Sequence, residues 1–304
     1  MISRYTYKKI TWVDLESPTK EEVLSLMEEF DIPELVGEEL LRPTIRSKVD
    51  LYDNLIYLVL HFPKIHHTHG KKGHDQEVNF VIGKNFIVTG RYELIDPLHE
   101  FSKLFEVNSV LNKNKIIDHA GFIFFDMVKE MYKHSADQLN EIDQLLIEIE
   151  ENIFAGHEGD MVEIISKLNG KLLNFKQAIR FHGEVLRSFD TAGRKFFGES
   201  FGYYLSAISS EHNKLKNILD SNKEMLQDLK ETNDALLSKK TGDTMKTLTM
   251  MSFVMLPLSL IAVIFAMHVN LPIVGGPGDF WAVISIMAIT VVATFLYFKH
   301  KKWI

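Results

Sequence analysis

The chain has 304 residues, a formal net charge of -7 and no cysteine, and its mean hydropathy lies near zero. Without cysteine there are no disulfides and no thiolate metal sites, and the acidic balance argues against a nucleic-acid partner. The hydropathy average conceals a strong asymmetry, because the oily residues gather at the C-terminal end.

The first stretch, MISRYTYKKITWVDL, has neither the apolar run nor the small-residue cleavage site of a signal peptide, so most of the chain is expected to stay unexported. TWVDLESPTKEEVLSLMEEF predicts a strand to Leu15 followed by a helix. Ser17 is the expected N-cap and Pro18 the first helical residue, with Glu21 and Glu22 near the positive end of the dipole. A second short helix stops before Pro43. RSKVDLYDNLIYLVLHF gives two strand-like runs broken at Asp53-Asn54, and EVNFVIGKNFIVTG gives two more around Gly83-Lys84-Asn85. Residues 1–117 therefore read as an α/β domain. Between two of its strands lies HHTHGKKGH, in which His66, His67, His69 and His74 are within reach of one metal ion. A Gly/Lys-rich loop has no fixed element to orient such ligands, which favours a solvated loop over a metal site.

From Asp118 to residue 247 Gly and Pro thin out and apolar residues recur at helical spacing, so long helices are expected. Ser135 to Glu158 carries Asp137, Glu141, Asp143, Glu148, Glu150, Glu151 and Glu158 with no Lys or Arg. This run reads as a solvated face, with cation concentration by the acidic surface as the alternative. Farther on, Leu205, Ile208, His212, Leu215, Leu219, Asn222, Leu226, Leu229, Asn233 and Leu236 alternate steps of three and four, which is a heptad seam. Its polar members suit either a helix packed against copies of itself around a hydrated axis or one whose polar residues fix register. Only Gly242 interrupts the pattern before the oily run. One helix of some sixty residues, on the order of 90 Å long, is expected to run from cytosol into bilayer.

Residues 248–304 hold two spans, about 248–267 and 280–298. Leu248 to Met267 carries no charge, and at about 1.5 Å per residue it covers the ~30 Å of a hydrocarbon core. Lys239, Lys240 and Lys246 precede the first span, Lys299, Lys301 and Lys302 follow the second, and the loop between has neither Lys nor Arg. Both termini are therefore expected on the cytoplasmic side of the cell (inner) membrane, which is crossed twice. The lysines that follow α-helical residues up to Phe298 read either as an ordinary positive-inside anchor or as a cationic collar. A buried helical hairpin in a soluble core is the alternative to membrane spans, and the length and the one-sided lysines disfavour it. No nucleophile-base pattern, phosphate loop or carboxylate pair points to an enzyme or a bound cofactor.

TMKTLTMMSFVMLPLSLIAVIF with its mid-span Pro257, the terminal YFKHKKWI and the two strand segments quoted above together resemble the CorA family of divalent-cation channels. The resemblance covers nearly the whole chain. It implies a homopentamer with a funnel of cytoplasmic α/β domains, long helices and two C-terminal transmembrane helices, the first spans lining a pore for Mg2+ and often Co2+ or Ni2+. It also implies site residues. Where the family ends its first span in Gly-Met-Asn, this chain reads Ala266, Met267 and His268, so His268 becomes the candidate metal-contacting residue at the outer mouth, with Asn270 as a replacement amide. Gly242 stands where the family commonly has a pore-facing Asn, and Leu256 beside Pro257 falls at a bulky apolar constriction. A neutral imidazole suits Zn2+, Ni2+ or Co2+ better than Mg2+, so altered selectivity is expected. The alternative is a non-conducting, membrane-anchored scaffold or sensor.

Overall fold

The computed structural model describes residues 1–64, 75–93, 95–111, 118–267 and 279–301, the side chains of 107–111 and 279 excepted. The histidine loop, His268, Asn270 and Lys302 lie outside the described residues. Two compact units emerge, Met1–Lys230 and Glu231–Ile304.

The first unit opens with β1 (Ile2–Tyr7), β2 (Ile10–Glu16), α1 (Lys20–Phe30), α2 (Glu34–Leu40), β3 (Lys48–Leu51), β4 (Ile56–Phe62), β5 (Gln76–Ile82) and β6 (Phe86–Arg91). The six strands form one sheet in the order β1-β2-β6-β5-β4-β3. Only β2 and β6 pair in parallel. Alternation divides the sheet's two faces. Val13, Leu15, Tyr57, Val59, Val81 and Val88 pack with Val23, Leu26, Val36 and Leu40 of α1 and α2. On the other face Trp12 meets Phe101 and Phe105 of α3 (Asp96–Leu111), and Phe80 meets Phe124 of α4 (Gly121–Phe154). With helices on both faces, β4 is buried at every position, which explains a sequence that is apolar but for His61.

The buried polar groups of the sheet are partnered. Trp12 Nε1 donates to Thr89 Oγ1 at 3.0 Å, Thr89 donates to Asp14 at 2.7 Å, and Arg91 pairs with Asp14 at 3.0 Å. Such partners offset the desolvation that an unpaired polar group would suffer.

The start of α1 differs from expectation. Thr19, not Ser17, is the N-cap: its hydroxyl accepts from the Glu22 amide at 3.3 Å while the Glu22 carboxylate accepts from the Thr19 amide at 2.9 Å. Glu three residues after Thr makes a reciprocal capping box, which a serine two residues earlier cannot form. Ser17 sits at φ 46° and donates instead to the Tyr92 carbonyl at 3.0 Å. Pro18 stays outside the helix.

After α4 come α5 (Glu158–Ala178), α6 (His182–Phe197), a 3-10 turn at Glu199–Phe201, and α7 (Gly202–Ala266), a single helix of 65 residues. Asp137, Glu141, Asp143, Glu148, Glu150 and Glu151 are exposed, as a solvated face requires, whereas Glu158 is buried. The heptad seam also departs from one of its two readings. Leu205, Ile208, Leu215, Leu219, Leu226 and Leu229 are buried within the chain itself, and Asn222 Nδ2 donates to the Leu139 carbonyl of α4 at 2.7 Å. Over this length the seam packs on α4 and α6 of its own chain and not on copies of itself around water. Its buried amide fixes the register of α7 on α4 by reaching a backbone acceptor.

The second unit consists of the rest of α7 and α8 (Asp279–His300). Each contains a window apolar and long enough to cross a membrane, and none of either window is buried.

Candidate ion pathway and a buried histidine node

In the second unit the apolar part of α7 has two faces. Met250, Val254, Pro257, Ile261 and Phe265 are half-buried, at helical spacing, on the side covered by α8. Phe253 meets Phe298 of α8 edge-on, with ring centroids 6.1 Å apart. Phe298 is buried. About half a helical turn away from Pro257 lie Ser252, Ser259 and Ala266, spaced by seven and exposed. Small residues allow close approach of a neighbouring helix or of permeating water. Their hydroxyls are satisfied locally, Ser252 donating to the Leu248 carbonyl at 2.9 Å and Ser259 to Met255 at 2.8 Å. In an apolar medium this internal bonding removes the penalty of an unpaired donor.

Of the candidates named from sequence, Leu256 is 69% exposed and lies between the small-residue face and the groove against α8, and Pro257, half-buried, lines the same groove. Pro257 has no amide hydrogen to give the Phe253 carbonyl, yet the helix continues through it. Ala266 is the last residue of α7 and Met267, exposed, follows it. Gly242 is exposed within the helix, and an added Cβ there would meet nothing within 4 Å. Lys299 and Lys301 are exposed at the end of α8, with the Lys301 ammonium 5.8 Å from the centroid of the Tyr297 ring. Sequence reading passed over Ser252 and Ser259, although the spacing of seven that joins them to Ala266 was there to be found.

The first unit holds a separate feature that no local motif announced. The Tyr132 hydroxyl of α4 lies 2.8 Å from Nδ1 of His182, the first residue of α6. The His212 ring of α7 stands 6.0 Å from both, and Phe62 of β4 packs on His182 edge-on at 5.3 Å. Burial raises the Tyr132 pKa and keeps its proton in place, so the phenol donates to Nδ1 and the ring proton of His182 sits on Nε2, a buried atom that makes no hydrogen bond of ordinary geometry. Burial first, and the neighbouring His212 second, push His182 down to about 3. His212 is lowered too, again chiefly by burial. Both rings are neutral near pH 7. Among the described residues no group of three or more His, Cys, Asp or Glu could hold a metal ion.

The family described as CorA-like Mg2+ transporter protein matches residues 7–300. The protein YfjQ of Bacillus subtilis is 26% identical over 294 residues, covering 96% of this chain and 89% of its own length. The cobalt/magnesium transport protein CorA of Thermotoga maritima is 22% identical over 299 residues, covering 97% and 83%. Among solved structures, that of the complete CorA magnesium transporter from Methanocaldococcus jannaschii superposes with a TM-score of 0.83 at 18% identity, covering 99% of this chain and 94% of the other.

Proposed function

Because the chain belongs to the CorA-like Mg2+ transporter protein family, a family of transporters and not of enzymes, we propose that it assembles as a homopentameric channel for divalent cations. The first spans line the pathway, and both termini lie in the cytosol. The observation that carries this reading is the unburied second unit. Two apolar helices with no buried window need partners, and the small-residue face of α7 offers copies of the chain a surface of close approach. The α/β domain and the helices to residue 247 then form the cytoplasmic body.

In this reading the pathway runs along Ser252, Ser259 and Ala266, flanked by Leu256 as the apolar constriction, with Gly242 nearer the cytosol. Pro257 leaves the Phe253 carbonyl for a pore water. Ala266-Met267-His268 forms the outer mouth, with Asn270 two residues beyond His268. Mg2+ gives up water reluctantly, so a ring of amide oxygens can grip its hydration shell intact. Five imidazoles offer one acceptor nitrogen each and favour Zn2+, Ni2+ or Co2+. They become cationic as pH falls through the imidazole range, and five positive charges at the mouth repel the permeant ion. Lys299, Lys301 and Lys302 form a cationic collar at the opposite end.

The test is flux into proteoliposomes. The wild type is expected to pass Co2+, Ni2+ or Zn2+ faster than Mg2+, with flux falling as pH drops from 7.5 to 5.5. The double substitution Ala266→Gly with His268→Asn is expected to restore Mg2+ preference and flatten the pH response; unchanged preference and response would remove His268 from the filter. A second reading, a non-conducting membrane scaffold, rests on the presence of Ala266 and His268 in place of the family's Gly and Asn. Absence of flux for all four ions from correctly inserted protein would establish it.

A further inference from the structure

The hairpin of α4 and α5 carries two exposed rows of residues. On α4, Asn140, Asp143, Ile147, Glu150 and Phe154 follow alternating steps of three and four and are all exposed, Ile147 by 47% and Phe154 by 68%. Such spacing keeps them on one face of the helix. α5 covers the other side of α4, where Leu145, Ile149 and Asn152 meet it. On α5, Val162, Asn169, Leu173, Lys176 and Arg180 follow the same rule, by steps of seven, four, three and four, and are exposed too. Each row mixes apolar and charged residues, but the signs differ: two carboxylates on α4, two cations on α5. A third cation joins the α5 row from α7, because Lys223 stands beside Lys176. Partial burial first, and that neighbour second, hold the Lys223 ammonium below the ordinary lysine range. Asp220 attracts Lys223, yet among the described residues no ion pair closes on either lysine. Two adjacent cations with no carboxylate against them repel one another in the isolated subunit.

We propose that these rows are the two halves of one subunit contact: the α4 row of each copy packs on the α5 row of the next, with Asp143 of the first against Lys176 and Lys223 of the second. Three properties single out a second copy as the occupant. The rows are opposite in charge and both carry exposed apolar residues, so the charges decide which row meets which while the apolar members supply burial. Their heights also agree. The bond from Asn222 to the Leu139 carbonyl sets Lys223 level with Asn140, one turn from Asp143, and Phe154 and Val162 both lie near the turn of the hairpin. Rotation about an axis along the helices preserves height, so level residues of neighbouring copies meet. Finally, the rows occupy different faces of one compact unit, which a head-to-tail contact requires, and such a contact repeated by rotation closes a ring. This contact rests on the homopentamer proposed above and adds the surfaces that join its subunits.

The chain has no cysteine, so a pair of introduced thiols reports on this contact alone. Asn140→Cys with Leu173→Cys leaves every charge in place. Native mass spectrometry of the full-length wild type and double variant in detergent first establishes the oligomer. A short bismaleimide is then expected to join the double variant into a ladder of covalent dimers up to pentamers, while each single variant gives none. In that background Lys176→Glu with Lys223→Glu should cut the ladder about tenfold, and Asp143→Lys added to them should restore it. A pentamer that yields no ladder, a ladder untouched by the charge reversal, or a loss that Asp143→Lys does not restore overturns the contact and leaves the pentamer standing. A ladder from either single variant shows like rows meeting and overturns it as well. A monomeric wild type overturns the pentamer itself, and this contact with it.

Discussion

Neutralising the acid sensitivity of His182 isolates a single buried proton site. In the folded protein its pKa is pushed down to about 3, chiefly by burial, from an ordinary 6.5. The folded state therefore resists a proton that the unfolded chain accepts readily, and stability is complete above pH 6.5 and lost progressively as pH falls from 6.5 toward 3. At pH 5 the unfolded ring is mostly protonated and the folded ring is not, which amounts to about 2 kcal/mol lost relative to pH 7.5. The other groups facing the ring shape the site without adding an opposite charge: Tyr132 stays neutral, and His212 and His61 disfavour a second positive charge. His182→Gln retains an acceptor for the Tyr132 hydroxyl and removes the titration. Denaturant unfolding of the full-length protein in detergent at pH 7.5 and 5.0 should show the wild type losing about 2 kcal/mol more than the variant over that interval. Carboxylates titrate in both proteins and cancel in the difference. Parallel pH dependence of the two proteins would refute the reasoning, whatever their absolute stabilities.

Two further substitutions probe the first unit. Thr19→Ala removes the acceptor for the Glu22 amide and should cost about 1 kcal/mol of unfolding free energy, measured at pH 7.5, whereas the same change at Ser17 leaves the capping box intact and should cost less. Asn222→Ala removes the side-chain donor to the Leu139 carbonyl and leaves a small cavity in the seam; a loss of about 1–3 kcal/mol is expected by denaturant unfolding, and Asn222→Leu should recover part of it by refilling the space.

Most of the fold was legible because its signals are local. The strands flanking Asp53-Asn54 and Gly83-Lys84-Asn85 are apolar runs separated by turn residues, and they became β3 to β6 as read. The long helices and both apolar spans were equally visible in period and length. What escaped were features that join distant parts of the chain. The Tyr132–His182 bond spans 50 residues and the Phe253–Phe298 contact closes a groove between separate helices. Neither leaves a mark in any window of sequence. The cap of α1 was misplaced for a different reason: Ser17-Pro18 and Thr19-x-x-Glu22 are both helix-start patterns, and the reciprocal pair of hydrogen bonds favours the second.

The seam of α7 shows where a pattern stops specifying its partner. Steps of three and four state that one face of a helix will be covered, but not whether by another helix of the same chain, by a copy, or by lipid. From Leu205 to Leu229 the seam is buried within the chain, against α6 at Leu205 and His212 and against α4 at Asn222. Past Lys239, Lys240 and Lys246 the composition becomes apolar all round, and neither apolar window is buried within the chain. In a bilayer the tails are as apolar as leucine, so oiliness no longer selects a face, and size and polarity do so instead. In the proposed pentamer that change of rule would place Ser252, Ser259 and Ala266, the small residues, against copies of the chain or the pathway.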